Sequence, residues 1–180
     1  MQHYTRLFVA APLPAAIVTE LETYLEPYNQ PGIRIVPSEN WHLTFHFIGN
    51  IPNTQVAEIT AKLPKLIAGF GTFPLRLLRV APGPNSKMPR LVWAQFSENK
   101  TYEKLSRAIT LGLGAKVEHQ HPIPHVTVAR FAKDFRPPKL PVSAARENTG
   151  FEVTEVALWQ SELRQPHPKY SILTSFPLGS

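Results

Sequence analysis

The sequence predicts an α+β protein with largely antiparallel sheets, and three observations carry that reading. Helix-period and strand-period segments are mixed along the 180 residues, several strands follow one another directly, and no regular strand–helix alternation appears. Nineteen prolines cut the chain into short elements, too short for long helices or a solenoid. With 43% hydrophobic and 18% charged residues the chain has enough apolar surface to bury a core.

Each element has its own signal. Tyr4 to Ala10 reads as a strand entering the core. Pro14 suits the first turn of a helix, and Ile17, Leu21, Tyr24, Leu25 and Tyr28 continue at helical spacing until Pro31-Gly32 turns the chain. Ile33 to Val36 is a short strand, and Trp41 to Ile48 a stronger one predicted to stop at Gly49-Asn50. A second helix is expected from about Asn53 to Ala68, with Val56, Ile59, Leu63 and Ile67 inward and Pro64 kinking or shortening it. Phe73 to Val80 and Arg90 to Phe96 read as strands around a turn at Pro82-Gly83-Pro84. A third helix spans Lys100 to Leu113 with Tyr102, Leu105, Ile109 and Leu113 on one face. His125 to Phe131 is the next strand, followed by a basic, proline-rich loop (Lys133, Arg136, Pro137, Pro138, Lys139). Phe151 to Gln160 and Tyr170 to Phe176 close the chain as strands.

Composition narrows the chemistry. Nineteen Lys and Arg against thirteen Asp and Glu leave a net charge of +6, which favours anionic partners such as phosphates or RNA. The lack of cysteine removes disulfides, thiolate nucleophiles and Cys-ligated zinc. The apolar run Leu7 to Val18 is twelve residues, contains Pro12 and Pro14, and lacks a lysine-rich start. It is read as structure rather than as a membrane span or signal peptide, so a cytoplasmic protein is expected. The Gly69-Phe70-Gly71 and Gly112-Leu113-Gly114 steps lack the spacing and lysine of a phosphate loop, and there is no Gly-x-Ser-x-Gly elbow.

One pattern occurs twice. His42-Leu43-Thr44-Phe45 and His125-Val126-Thr127-Val128 each open a predicted strand, 83 positions apart. Alternation sends Leu43, Phe45 and Phe47 toward the core and leaves His42 and Thr44 together on the opposite face, as Val126 and Val128 do for His125 and Thr127. The repeat suggests duplicated lobes that bring two imidazoles and two hydroxyls to one cleft. Such a set suits phosphodiester hydrolysis. With ordinary pKa values near 6.5, one imidazole can accept a proton from water while the other donates to the leaving oxygen. The threonines can hydrogen-bond phosphate oxygens, and no metal is needed. His42 and His46, and His119, His121 and His125, have spacings that zinc could use, but neither cluster has a neighbouring carboxylate of the usual metalloenzyme kind, His125 is wanted for acid–base work, and no metal or cofactor is expected.

These motifs resemble the 2H phosphoesterase superfamily, specifically the LigT-like RNA 2′,3′-cyclic phosphodiesterases. The likeness runs through Arg6 to Ala10 with Leu13-Pro14, Asn40 to Phe45 with Phe47-Ile48-Gly49, Pro124 to Arg130, and Tyr170. It implies one domain over 1–180 made of two pseudo-symmetric lobes, with sheets lining a central cleft and helices outside. It also implies opening of an RNA terminal 2′,3′-cyclic phosphate to a 2′-phosphate, with 2′-5′ RNA ligation as the reverse chemistry. By that resemblance His42 is the proton donor, His125 the proton acceptor, and Thr44 and Thr127 hold the phosphate. Arg130, Tyr170, Phe47 and His46 are the further substrate candidates. Arg130 has strand parity opposite to His125, which leaves a structural ion pair equally open, and His46 stands where the family commonly has a small residue. Trp41 and Trp93 are weaker stacking candidates than Tyr170, and Lys87, Arg90, Lys133, Arg136 and Lys139 are candidates for a phosphate-tracking rim. The expected partner is an RNA 3′ end or a small cyclic nucleotide, with the protein working as a monomer and no membrane involved. Another small substrate, such as ADP-ribose 1″,2″-cyclic phosphate, or a non-catalytic module binding RNA ends, are the alternatives.

Overall fold

A computed structural model describes residues 3–85, 87–133, 135 and 139–179. Among the described residues ten strands form two sheets whose ladders are all antiparallel. The first has four strands in the order β10 (Lys169–Pro177), β9 (Glu155–Glu162), β1 (Tyr4–Pro12), β3 (His42–Pro52). The second runs β2 (Ile33–Ile35), β6 (His125–Phe131), β5 (Leu91–Phe96), β4 (Phe73–Gly83), β7 (Ser143–Ala144), with β8 (Gly150–Val153) also paired to β4. Three α-helices connect them: α1 (Ala15–Glu22), α2 (Val56–Ile67) and α3 (Lys100–Gly112). One contiguous core, including Leu7, Val9, Leu43, Leu63, Val92 and Val126, draws on both sheets.

Alternation along β1 divides its side chains. Leu7, Val9 and Ala11 enter that main core, while Phe8 and Ala10 join Ala157 and Trp159 in a smaller cluster on the other face, with Tyr170 against it.

Several boundaries differ from the sequence reading. The first helix stops at Glu22 rather than Tyr28, because Pro27 cannot donate to the carbonyl of Thr23; Glu26–Tyr28 is a separate 3-10 turn. Helix α2 continues through Pro64 to Ile67, where burial of Leu63 and Ile67 outweighs one lost hydrogen bond. β3 runs past Gly49-Asn50 to Pro52, since Gly49 adopts φ +87° at a bulge and pairing with β1 resumes beyond it. Strand β4 likewise extends through Pro82-Gly83, so the turn falls after residue 83. The expected strand Phe151 to Gln160 is two strands: β8 pairs with β4, and beyond Thr154 β9 pairs with β1 and β10 in the other sheet. β7 has no signal in the sequence, being only two residues long.

Helix α3 covers the outer side of β3. Tyr102, Ser106 and Thr110 recur every four residues along it. The Tyr102 hydroxyl donates to the Thr44 carbonyl (2.7 Å), and Ser106 Oγ donates to the Phe45 carbonyl (2.7 Å). These bonds satisfy carbonyls that an edge strand would otherwise present unpaired. Desolvation raises the pKa of the buried Tyr102 phenol, which keeps it a donor.

Candidate active site

The two histidines sit at the first positions of β3 and β6, and the same backbone device holds each. His42 Nδ1 lies 2.7 Å from the carbonyl of Asn40, and His125 Nδ1 lies 2.8 Å from the carbonyl of Ile123. A carbonyl only accepts, so Nδ1 carries hydrogen in both rings. Nε2 is left to accept a proton when the ring is neutral and to donate one when it is charged. Thr44 and Thr127 line the same cleft as the histidines.

The surroundings of the rings differ. His42 packs on Phe8 (centroids 4.6 Å), Tyr170 (5.4 Å, edge-on) and Trp159 (5.8 Å). Trp159 donates from Nε1 to the Ala10 carbonyl and stacks on Phe8, so this aromatic floor is fixed from below. His125 meets the edge of Trp93 at 5.0 Å. Burial, ahead of the positive charges of Arg130 and His125, pushes the His42 imidazole down to about 4, with the Asn40 carbonyl opposing. His125 is lowered as well, first by burial and then by Arg130. Both shifts favour the neutral imidazole in the free protein.

Two bulges decide what else reaches the cleft. In the pairing with β1, Ala10 faces Thr44 and Val9 faces His46, so Phe45 is an extra residue. In the pairing with β5, Trp93 faces Thr127 and Val92 faces Ala129, so Val128 is an extra residue. Each bulge reverses the alternation beyond it. On β3 it turns His46 to α3, where its Nδ1 is 3.2 Å from Thr110 Oγ1. The Thr110 hydroxyl already donates to the Ser106 carbonyl, so His46 is the donor. The expectation that His46 shares the face of His42 and Thr44 is thus corrected. Phe47, which simple alternation would bury, is 66% exposed and lines the cleft. On β6 the bulge brings Arg130 into the cleft against its nominal parity.

Tyr170 also lines the cleft. Trp41 and Trp93 are buried, Trp41 donating to the Val36 carbonyl at 2.9 Å. Of the basic rim candidates, Lys87, Arg90, Lys133 and Lys139 are not among the cleft residues, and Arg136 falls outside the described residues, as do Pro137 and Pro138. The guanidinium groups that do line the cleft belong to Arg34, Arg130 and Arg164. No group of three or more His, Asp or Glu suited to a metal occurs among the described residues; His42 and His46 diverge to opposite sides of β3, and His121 pairs with Glu103 at 2.8 Å. No helix among those residues is long and apolar enough to cross a membrane.

Sequence reasoning missed the function of Asn40. It is buried (5% exposed), and its carbonyl receives His42. Its side-chain amide donates to the Pro168 carbonyl at 2.8 Å, while its Oδ1 accepts from the Tyr170 amide at 3.3 Å. One residue therefore ties His42 to the Arg164–Pro168 segment that walls the cleft. The available signal was a polar residue just before an apolar strand.

The LigT like Phosphoesterase family model matches residues 11–93. An RNA 2′,3′-cyclic phosphodiesterase of Thermus thermophilus is 30% identical over 185 residues, spanning 96% of this chain and 90% of that protein. The chain belongs to the LigT-like phosphoesterases. Within that family, the RNA 2′,3′-cyclic phosphodiesterase of Methanocaldococcus jannaschii is 26% identical, with 93% of this chain and 98% of the relative aligned. The one from Geobacillus stearothermophilus is also 26% identical and aligns with 98% of this chain, which spans only 57% of that longer relative. Among solved structures, a Thermus thermophilus protein superposes with TM-score 0.80 at 28% identity, covering 96% of this chain and 97% of that one. E. coli LigT complexed with 3′-AMP shares the fold at TM-score 0.78 and 22% identity, covering 99% of this chain and 100% of that one. The two antiparallel sheets are thus the LigT-like phosphoesterase fold.

Proposed function

We propose that this chain hydrolyses RNA terminal 2′,3′-cyclic phosphate to a 2′-phosphate without a metal. The observation that carries the reading is the matched pair of imidazoles, each with Nδ1 bound to a backbone carbonyl and Nε2 left for one cleft. His125 Nε2 takes a proton from water as the water oxygen bonds to phosphorus. His42 Nε2 gives a proton to the 3′ oxygen as its bond to phosphorus breaks. Thr44 and Thr127 hold the phosphate in line, and Arg130 offsets the charge that grows on its oxygens. The monoanionic phosphate counters the field of Arg130, which makes protonation of His42 easier in the complex than in the free protein. Phe47 and Tyr170 offer aromatic surface for the terminal base. Residues 1–180 are read as one domain whose two sheets are pseudo-symmetric lobes, in keeping with the repeated carbonyl–histidine device and the repeated bulge.

The test is turnover, in EDTA, of a short RNA bearing a terminal 2′,3′-cyclic phosphate, with the product read by ³¹P NMR. EDTA-resistant formation of a 2′-phosphate, lost in His42→Ala and His125→Ala, is expected. A 3′-phosphate product would keep the site but reverse which oxygen leaves. Binding with no turnover in the wild type, on this RNA or on smaller cyclic phosphates, would overturn the enzymatic reading.

A further inference from the structure

Chemistry at the two histidines accounts for Arg130 but leaves a second arginine without a task. Arg34 of β2 stands directly opposite Arg130 of β6 in the antiparallel register, and both line the cleft. Like charges facing each other across a ladder repel. Among the described residues neither guanidinium forms an ion pair with a carboxylate. A sheet that keeps two such charges side by side on its open face is arranged to receive anions.

The two arginines are not equivalent. Arg130 shares strand β6 with His125 and Thr127, whereas Arg34 sits on the neighbouring edge strand β2. Arg130 therefore stands at the reacting phosphate. Arg34 lies one strand farther out, on the edge strand of its sheet, a spacing of about 4.8 Å before side-chain reach is added. That displacement is on the scale of one nucleotide step along a single strand. Guanidinium is the side chain best matched to phosphate, since its planar fork donates two parallel hydrogen bonds.

We propose that Arg34 forms a second phosphate subsite, which takes the phosphate attached to the 5′ oxygen of the terminal nucleotide while Arg130 attends the cyclic phosphate. The proposal rests on the cyclic-phosphate reading of the cleft and narrows its substrate class. Nucleotides carrying a 5′-linked phosphate, whether a chain phosphodiester or a terminal monoester, are preferred over a bare nucleoside 2′,3′-cyclic phosphate.

Three probes test it: adenosine 2′,3′-cyclic phosphate, the same compound with a 5′-phosphate, and the dinucleotide ApA with a terminal 2′,3′-cyclic phosphate. Wild type is expected to favour both 5′-phosphorylated probes by about tenfold or more in kcat/KM, chiefly through KM. In Arg34→Ala that preference collapses toward unity, and Arg34→Lys keeps part of it because charge remains without the fork. The dependence of log KM on log salt for the dinucleotide is expected to flatten by about one counterion in Arg34→Ala. A gain confined to the dinucleotide and retained in Arg34→Ala would overturn the proposal and assign the gain to the extra base. An equal loss on all three probes would overturn it by placing Arg34 at the reacting phosphate. Failure of wild type to hydrolyse any probe would instead sink the catalytic reading. Calorimetric binding of adenosine 3′,5′-bisphosphate against 3′-AMP then decides the subsite, since the advantage of the bisphosphate must disappear in Arg34→Ala, and its persistence would overturn the proposal.

Discussion

The head of β3 and the head of β6 repeat one backbone arrangement in two different environments. Each begins with a histidine whose Nδ1 meets the carbonyl two residues earlier, continues to a threonine, and then bulges. Five residues beyond the histidine, β3 presents Phe47 to the cleft and β6 presents Arg130. Beneath the rings, His42 has Phe8, Trp159 and Tyr170, while His125 has Trp93. The comparison teaches that backbone geometry places the two imidazoles, whereas side chains at equivalent positions make the two sides of the cleft differ. An aromatic side, with Phe47 and Tyr170, faces a cationic side with Arg130.

The sharpest way to break the comparison is to remove one ring at a time. His42→Ala and His125→Ala are each expected to lower kcat by about 10²–10⁴, with the double variant little worse than either single one. Retention of activity in one single variant would mean that the two half-sites are not partners. Next in size is a difference in support. Asn40→Ala deletes the amide that clamps Pro168 and Tyr170 and should lower kcat about tenfold, whereas Ile123→Ala keeps the carbonyl that holds His125 and should cost much less. Similar losses in steady-state kinetics would erase the asymmetry.

A stability effect should be confined to the β3 side. Ser106→Ala leaves the buried Phe45 carbonyl without its donor and is expected to cost about 1–3 kcal/mol in urea unfolding. The remaining effects appear as pH dependence. The folded protein holds His42 at about 4, below its unfolded value near 6.5, so the unfolded chain takes up the proton first. Its contribution to stability is present above about pH 6.5 and is lost as pH falls toward 4. His42→Gln should therefore flatten the decline of Tm with acid over that window. Smallest is the electrostatic shift: Arg130→Gln removes a positive charge acting on both rings, so both limbs of the kcat/KM profile should move to higher pH, the reverse direction being incompatible with Arg130 in the cleft.

Much of the site was legible because the His-x-Thr pairs lie before the bulges, where two-residue alternation holds. Spacing alone could place His42 with Thr44, and His125 with Thr127, on one face of each strand. Past the bulges the same rule failed three times, for His46, Phe47 and Arg130. An extra residue in a ladder is a property of the pairing partner, and neither β1 nor β5 announces it locally. Ser106 and Thr110 were illegible for a related reason: polar residues on the buried face of α3 make sense only once the β3 carbonyls stand across from them. Arg34 read as an ordinary strand residue until β2 was known to pair with β6.

The sequence by itself determined the α+β class, the order of most elements and the two histidines that head β3 and β6, because these follow from local periodicity and from a motif that occurs twice. Only the tertiary structure decided which strands share a sheet. β9 and β10 return from the far end of the chain to pair with one another and, through β9, with β1, while β2 leaves its neighbours in sequence to join β6. It also decided which side chains beyond each threonine face the cleft. Both choices depend on hydrogen-bond partners distant in the chain, and a strand's own residues carry no record of the register in which a remote partner will meet them.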